Sequence, residues 1–205
     1  RMSRLEKLRM GDNRLNEEGA VALGRLPPTL LLLDLEDNNI GLHGAAALAS
    51  HGLPPGLQRL DLRMNALFVP VALAQDLPHT LTHLDLSSNH MHSDGMAAIA
   101  RHLPPALQHL NLQGNMLRPE GAEALVRGGL PNTLRHLDLC HNTLSPAGVR
   151  ALAGKLPTAL YHLNLCGNIL GAEGVEALSG VLPKGLVELE LGDNELGAVG
   201  AAALA

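Results

Sequence analysis

Four histidines recur at matched positions along the chain, and each is followed two residues later by an aspartate or an asparagine. The histidines are His83, His109, His136 and His162, and the partners are Asp85, Asn111, Asp138 and Asn164. Imidazole and carboxylate groups can bind metals, exchange protons or contact charged groups on a partner. Which of these they can do depends on the elements that position them.

Those elements are eight copies of one pattern, L-x-x-L-x-L-x-x-N-x-Φ, in which Φ is a large apolar residue. The copies begin at Leu5, Leu30, Leu57, Leu81, Leu107, Leu134, Leu160 and Leu186, in steps of 24 to 27 residues. Pattern and period are the signature of a leucine-rich repeat. They predict an α/β horseshoe over residues 1–205, with parallel strands on the concave face and α-helices on the convex face. Because neither end carries a polar capping repeat, we expect a piece of a longer protein.

Each copy is followed by a helical pattern and a Leu-Pro break. Asn16 and Ser145 are predicted N-caps, and Pro146 suits a first helical turn. The third repeat is irregular, and its helix should begin near Pro70. Phe68 is expected to fill a gap in the local core.

Side chains alternate along each strand. Leu84 and Leu86 should therefore point into the core, whereas His83, Asp85 and Ser87 point out of the concave face. The asparagine of each repeat should point inward and form a hydrogen-bonded ladder. Its members are Asn13, Asn38, Asn65, Asn89, Asn115, Asn142, Asn168 and Asn194.

Neighbouring strands lie about 4.8 Å apart, so the outward residues of successive repeats form columns across the face. These columns are the predicted partner-binding surface. Its residues are Arg59, Asp61, Arg63, His83, Asp85, His109, Asn111, His136, Asp138, His162, Asn164, Glu188 and Glu190.

Three interpretations of the histidine column stay open. In the first, it is a by-product of repeat duplication, with weak local pairs such as His83 with Asp85. In the second, the strip binds a basic protein surface. The third is a zinc site made from His136, Cys140, His162 and Cys166, although ligands in parallel columns diverge. We expect neither a metal nor another cofactor, and no Cys140–Cys166 disulfide in a reducing compartment.

Protonation of four adjacent imidazoles, near their ordinary pKa of about 6.5, should make them repel one another. Asp85 and Asp138 should offset part of this repulsion. The pattern alone leaves the net sign open.

The composition argues against several other classes of protein. A net charge of −5 and a pI of 6.1 disfavour nucleic-acid binding. There is no apolar run long enough for a membrane span, and the segment 1–5 has no signal-peptide core. Two cysteines form no disulfide framework, so a cytoplasmic location is expected. No catalytic motif is present, and we expect a non-enzymatic monomer that binds an unidentified protein partner.

The repeat at residues 107–117, followed by the helical segment 120–125, resembles the ribonuclease-inhibitor-like class of leucine-rich repeats. The helical segments 44–49 and 200–205 resemble the G-A-x-A-L-A motif of the GALA effectors of plant-pathogenic bacteria. That likeness implies a substrate-recognition module for a host ubiquitin ligase, acting in the host cytoplasm. The same motif is similar to those of NOD-like receptors and Ran GTPase-activating proteins, which implies a sensor or GTPase-regulating role.

Overall fold

The computed structural model describes residues 4–204, in which eight short strands alternate with eight helices. The strands are β1 (Lys7–Arg9), β2 (Leu32–Asp34), β3 (Arg59–Asp61), β4 (His83–Asp85), β5 (His109–Asn111), β6 (His136–Asp138), β7 (His162–Asn164) and β8 (Glu188–Glu190). The helices are α1 (Asn16–Leu23), α2 (Gly41–His51), α3 (Val71–Gln75), α4 (His92–Ala100), α5 (Arg118–Gly128), α6 (Ser145–Leu152), α7 (Gly171–Leu178) and α8 (Gly197–Ala203). Within 4–204, no helix has the length and apolarity that a membrane crossing requires. The expectations for Arg1, Met2, Ser3 and Ala205 lie outside the described residues.

The strands form one parallel sheet in the order β1 to β8, and each pairs in register with the next. Helices of neighbouring repeats also lie side by side, with no contacts between distant repeats among the described elements. The inward leucines of the repeats, such as Leu84 and Leu86, are buried in one continuous core. This arrangement confirms the predicted leucine-rich repeat solenoid.

The asparagine ladder is present and accounts for many of the buried backbone groups. Asn115 donates from Nδ2 to the carbonyls of Leu86, Leu112 and Gln113, and its Oδ1 accepts from the N–H groups of Asn89 and Met91. Asn38, Asn65, Asn89, Asn115, Asn142 and Asn168 are fully buried, and Asn194 is nearly so. The prediction is confirmed for these seven.

Asn13 departs from the ladder. It is exposed, and its Nδ2 bonds only to the carbonyl of Gly11. The other ladder amides donate to a carbonyl of the repeat before them, and the described chain offers Asn13 no such repeat.

The predicted side-chain N-caps are wrong. Neither Asn16 nor Ser145 caps its helix, and both have positive φ values of 55° and 57°. The helix starts are stabilised across repeats instead. The N–H of Asn16 donates to the carbonyl of Asn38, and that of Ser145 donates to the carbonyl of Asn168. In both cases the backbone carbonyl of a ladder asparagine thus accepts an N–H at the helix start of the preceding repeat, which has no acceptor within its own helix.

The third repeat is irregular, as expected. Its helix α3 has five residues and begins directly after Pro70, close to the predicted start. The prediction for Phe68 is wrong, because this side chain is 48% exposed and its ring stacks loosely on His90 at 6.1 Å. The core beneath it is already filled by Leu67 and Leu73, both fully buried.

Candidate functional site

The outward residues of β1 to β7 line a shallow trough of about 580 Å³ on the strand face. Ten of the thirteen predicted site residues line it, and Asn164, Glu188 and Glu190 do not. Arg9, Leu32 and Asp34 also line the trough, although the prediction left them out. Their in-register pairing with the Arg59 and Asp61 columns was the signal that could have included them.

Three histidine rings form a face-to-face stack along the floor of the trough. His83 and His109 have ring centroids 4.0 Å apart and planes inclined by 10°. His109 and His136 are 4.1 Å apart at 9°. Strand register brings the rings together, because these residues are direct neighbours in the sheet. The expected pairing of His83 with Asp85 is not seen, and His83 Nδ1 instead lies 2.9 Å from Thr82 Oγ1.

Burial disfavours a positive charge on this stack. It lowers the pKa of His83 and His136, and it lowers that of His109, the middle ring, to about 4. Neighbouring imidazoles and Arg59 act in the same direction on His109. At neutral pH the stack is therefore uncharged.

A row of carboxylates and amides runs beside the histidines. In each repeat from β2 to β7, the Oδ1 atom accepts the N–H two residues later, as in Asp85 with Ser87 at 2.9 Å. Asn111 donates to Asp85 Oδ2 at 3.0 Å, and Asn164 donates to Asp138 Oδ2 at 3.2 Å. These asparagines separate carboxylates that would otherwise be neighbours. Asn164 is itself buried, so it offers a partner little surface.

Burial also raises the pKa of two of these carboxyls, Asp61 and Asp138. The value for Asp61 reaches about 6, with Asp85 and Asp34 adding to the effect of burial. Arg63 opposes the rise by lying beside Asp61, at 3.6 Å between Nε and Oδ2. Arg63 also forms an ion pair with Glu36.

The third outward column is less accessible than predicted. Ser87 and Cys140 are only 6% exposed, and the Ser87 hydroxyl donates to Asp85 Oδ1. Cys140 and Cys166 are free thiols, and burial raises the pKa of Cys140 to about 12. The two thiols form no close ligand group with His136 and His162 in the described part of the chain. The zinc interpretation based on these four residues therefore lacks a converged ligand set.

The far end of the strand face carries a different cluster. His162 turns away from the stack, with its ring at 85° to that of His136. Its Nε2 lies 2.9 Å from Glu190 Oε1, and its Nδ1 lies 3.9 Å from Glu188 Oε2.

Comparisons with known proteins agree with this architecture. A family model described as a leucine-rich repeat matches residues 3–24, 27–49, 78–100, 105–126, 131–153 and 186–205. No curated protein sequence matches the chain. A solved structure of the leucine-rich repeat-containing protein LegL7 from Legionella pneumophila is similar, with a TM-score of 0.66 and 23% identity over 95% of this chain and 68% of that one.

A second solved structure, CroV588, is described as a circular leucine-rich repeat protein. It aligns with a TM-score of 0.46 and 22% identity. The alignment covers 81% of the present chain and 21% of CroV588. The repeat class within the family is not distinguished by these matches. The family model covers more than half of the sequence, and the chain belongs to the leucine-rich repeat family.

Proposed function

We propose that this chain is a non-enzymatic interaction module that binds a protein partner in the trough between β3 and β6. Leucine-rich repeat domains typically act as scaffolds for protein–protein interaction. The observation that carries the proposal is the stack of His83, His109 and His136 beside a row of carboxylates on the open strand face.

The stack suits binding because its rings are already ordered. Each imidazole is held by a neighbour at about 4 Å, so little side-chain freedom is left to lose when a partner docks. All three rings line the trough, and a neutral imidazole has one N–H donor and one nitrogen acceptor. The floor of the trough can therefore contact both apolar and polar groups.

Charge favours a partner with a basic segment. Strands β4 to β6 contribute three neutral imidazoles, Asn111 and the two carboxylates Asp85 and Asp138 to the trough, and no Lys or Arg. Arginines enter only from earlier repeats, at Arg9, Arg59 and Arg63. A lysine or arginine side chain lying across β4 to β6 would thus meet two carboxylates in the trough lining, with Arg59 and Arg135 as the nearby cations.

Site-specific crosslinking tests this surface. One variant carries a photo-reactive residue at position 109 in the trough, and a second carries it at position 127, where Arg127 is exposed on α5. In extracts of the source organism, we expect one protein to crosslink at 109 and not at 127. The same protein can then be purified for affinity measurements, and assayed for GTP hydrolysis with and without the chain, which tests a GTPase-regulating role.

The affinity measurement uses matched sets of histidines. Replacing His83, His109 and His136 with alanine should weaken binding about tenfold or more, a loss of ~1.4 kcal/mol. Replacing the exposed His43, His79 and His102, which lie outside the trough, should leave it unchanged. Equal affinity for both triple variants would place the partner on another surface.

A further inference from the structure

The strand face brings one imidazole and two carboxylates together at β7 and β8. One ligand atom from each of His162, Glu188 and Glu190 lies within 4.8 Å of the other two. Strand pairing explains the arrangement, because His162 is in register with Glu188, and Glu190 follows two residues later on the same face. The cluster lies outside the lining of the trough except for His162.

The charge of this cluster is not balanced by the chain. Among residues 4–204, no Lys or Arg side chain lies within 4.0 Å of either glutamate, and His162 is their only basic neighbour at that distance. Two carboxylates therefore share one imidazole, which supplies at most one positive charge. A cation of higher charge would remove the remaining repulsion.

A second acidic cluster on the same face provides a contrast. Asp34, Glu36 and Asp61 also have ligand atoms within 4.8 Å of one another. There, however, Arg63 pairs with Glu36 and lies 3.6 Å from Asp61. Among the described residues, an arginine pairs with this cluster, whereas none pairs with the one at β7 and β8.

The orientation of His162 explains how two of these ligand atoms come close together. The other three rings of the column stack nearly parallel, whereas His162 turns edge-on and directs Nε2 at Glu190, 2.9 Å away. Ligand atoms bound to one tetrahedral Zn²⁺ at about 2.0–2.1 Å lie roughly 3.3 Å apart. The Nε2 atom and Glu190 are thus already near the required separation. Glu188 lies beside the other ring nitrogen, Nδ1, and its side chain must rotate towards Nε2 to join the same ion.

We propose that His162, Glu188 and Glu190 bind a divalent transition metal, with Zn²⁺ as the preferred ion. One imidazole nitrogen and two carboxylate oxygens form a ligand set that Zn²⁺ accepts, with water in the remaining position. Ca²⁺ and Mg²⁺ require oxygen ligands and bind imidazole poorly. The site differs from the Cys140 and Cys166 thiols both in position and in ligand type.

Isothermal titration of the metal-free full chain with Zn²⁺ tests the proposal. We expect one site per chain, with no equivalent binding of Mg²⁺. His162→Gln and Glu190→Gln should each weaken Zn²⁺ binding about tenfold or more. The matched controls are His83→Gln, which removes another imidazole of the column, and Glu36→Gln, which lies in the arginine-paired cluster. Both should bind Zn²⁺ as the wild type does.

Cobalt substitution identifies the ligands independently. Co²⁺ bound by nitrogen and oxygen gives weak visible absorption, whereas thiolate ligands add an intense near-ultraviolet charge-transfer band. We expect no such band in the wild type, and loss of the visible absorption in His162→Gln. Unchanged Zn²⁺ affinity in His162→Gln and Glu190→Gln, or a thiolate band in the wild type, would overturn the proposal. Circular dichroism should show that all variants are folded.

Discussion

At the scale of single residues, the ladder asparagines connect neighbouring repeats. Each buried ladder amide bonds to its own turn, to a carbonyl of the preceding repeat and to two backbone N–H groups of that repeat, as Asn115 does. Around each asparagine the backbone enters the left-handed region, as at Ser88, His90 and His92 with φ of 54°, 55° and 51°. These conformations are unfavourable for residues with a Cβ, so the amide bonds help to stabilise them.

Asn115→Ala should therefore lower the free energy of unfolding by about 3 kcal/mol, because it leaves several buried polar groups without partners. The control is Asn13→Ala, which removes one hydrogen bond from an exposed side chain and should cost less than about 0.5 kcal/mol. Urea denaturation measures both. Similar losses at the two positions would show that the cross-repeat bonds contribute little.

The histidine stack makes stability depend on pH. The pKa of His109 falls from 6.5 to about 4 on folding. Between these two pH values the unfolded chain binds more protons than the folded chain. The contribution of His109 to the free energy of unfolding is therefore fully present above pH 6.5 and is lost as the pH falls towards 4. Asp61 acts in the opposite direction, since its pKa rises from 3.8 to about 6 and the folded state then binds more protons. Acid thus destabilises the folded chain through His109 and stabilises it through Asp61, so the histidine and aspartate columns have opposite effects.

His109→Gln should consequently make the chain less sensitive to acid between pH 6.5 and 4, relative to wild type. Glutamine keeps a polar group there but does not titrate. Urea midpoints measured across this interval test the effect, with the exposed His79→Gln as control. Parallel wild-type and His109→Gln curves would indicate that the buried stack is not the source of the pH dependence.

At the scale of elements, glycines set how closely the irregular third repeat packs on the next helix. A Cβ built on Gly95 in α4 would lie 2.2 Å from the carbonyl oxygen of Phe68. Such an approach is available only to glycine unless the backbone moves. The loop before α3 therefore packs directly against α4.

Gly95→Ala should destabilise the chain by about 1–3 kcal/mol, because overpacking forces the loop at Phe68 to move. Gly56→Ala is the matched control, since its nearest neighbour would be Leu31 Cδ2 at 3.9 Å. That variant should be neutral or slightly stabilising. Thermal and urea denaturation of the two variants give the comparison, and a neutral Gly95→Ala would mean that the loop yields freely.

At the scale of the whole molecule, stability is distributed along the stack. Within residues 4–204, each repeat contacts only its neighbours, so its stability depends on those interfaces. The central residues of β2 to β7 are buried, whereas Leu8 in β1 and Leu189 in β8 are only partly buried. The interior repeats therefore pack against a neighbour on both sides, whereas the outermost described repeats bury less of their apolar surface.

Hydrogen exchange of the 205-residue chain should reflect this difference. Amides of β4 to β6 should exchange most slowly, and those of β1 and β8 should exchange faster by several orders of magnitude. Mass spectrometry of peptides from each repeat would measure the gradient. Uniform protection from β1 to β8 would instead indicate a single cooperative unit.

The sequence by itself determined the repeat, the buried leucines, the asparagine ladder and the columns of the strand face. It could do so because each strand pairs in register with the next, so equivalent positions in successive repeats must lie side by side. The columns of His83, His109 and His136 and of Asp61 and Asp85 followed directly from that spacing.

Only the tertiary structure decided what the side chains in those columns do. Four features depend on rotamers and on contacts between residues of different repeats. They are the stacking of His109 between two imidazoles, the capping of a helix by the carbonyl of Asn38, the exposure of Phe68 and the turn of His162 towards Glu190. A local pattern places the Cβ atoms but does not specify these choices. The rotamer of each side chain depends on its neighbour in the adjacent repeat, which offers a hydrogen-bond partner, a ring to stack on or unfilled space.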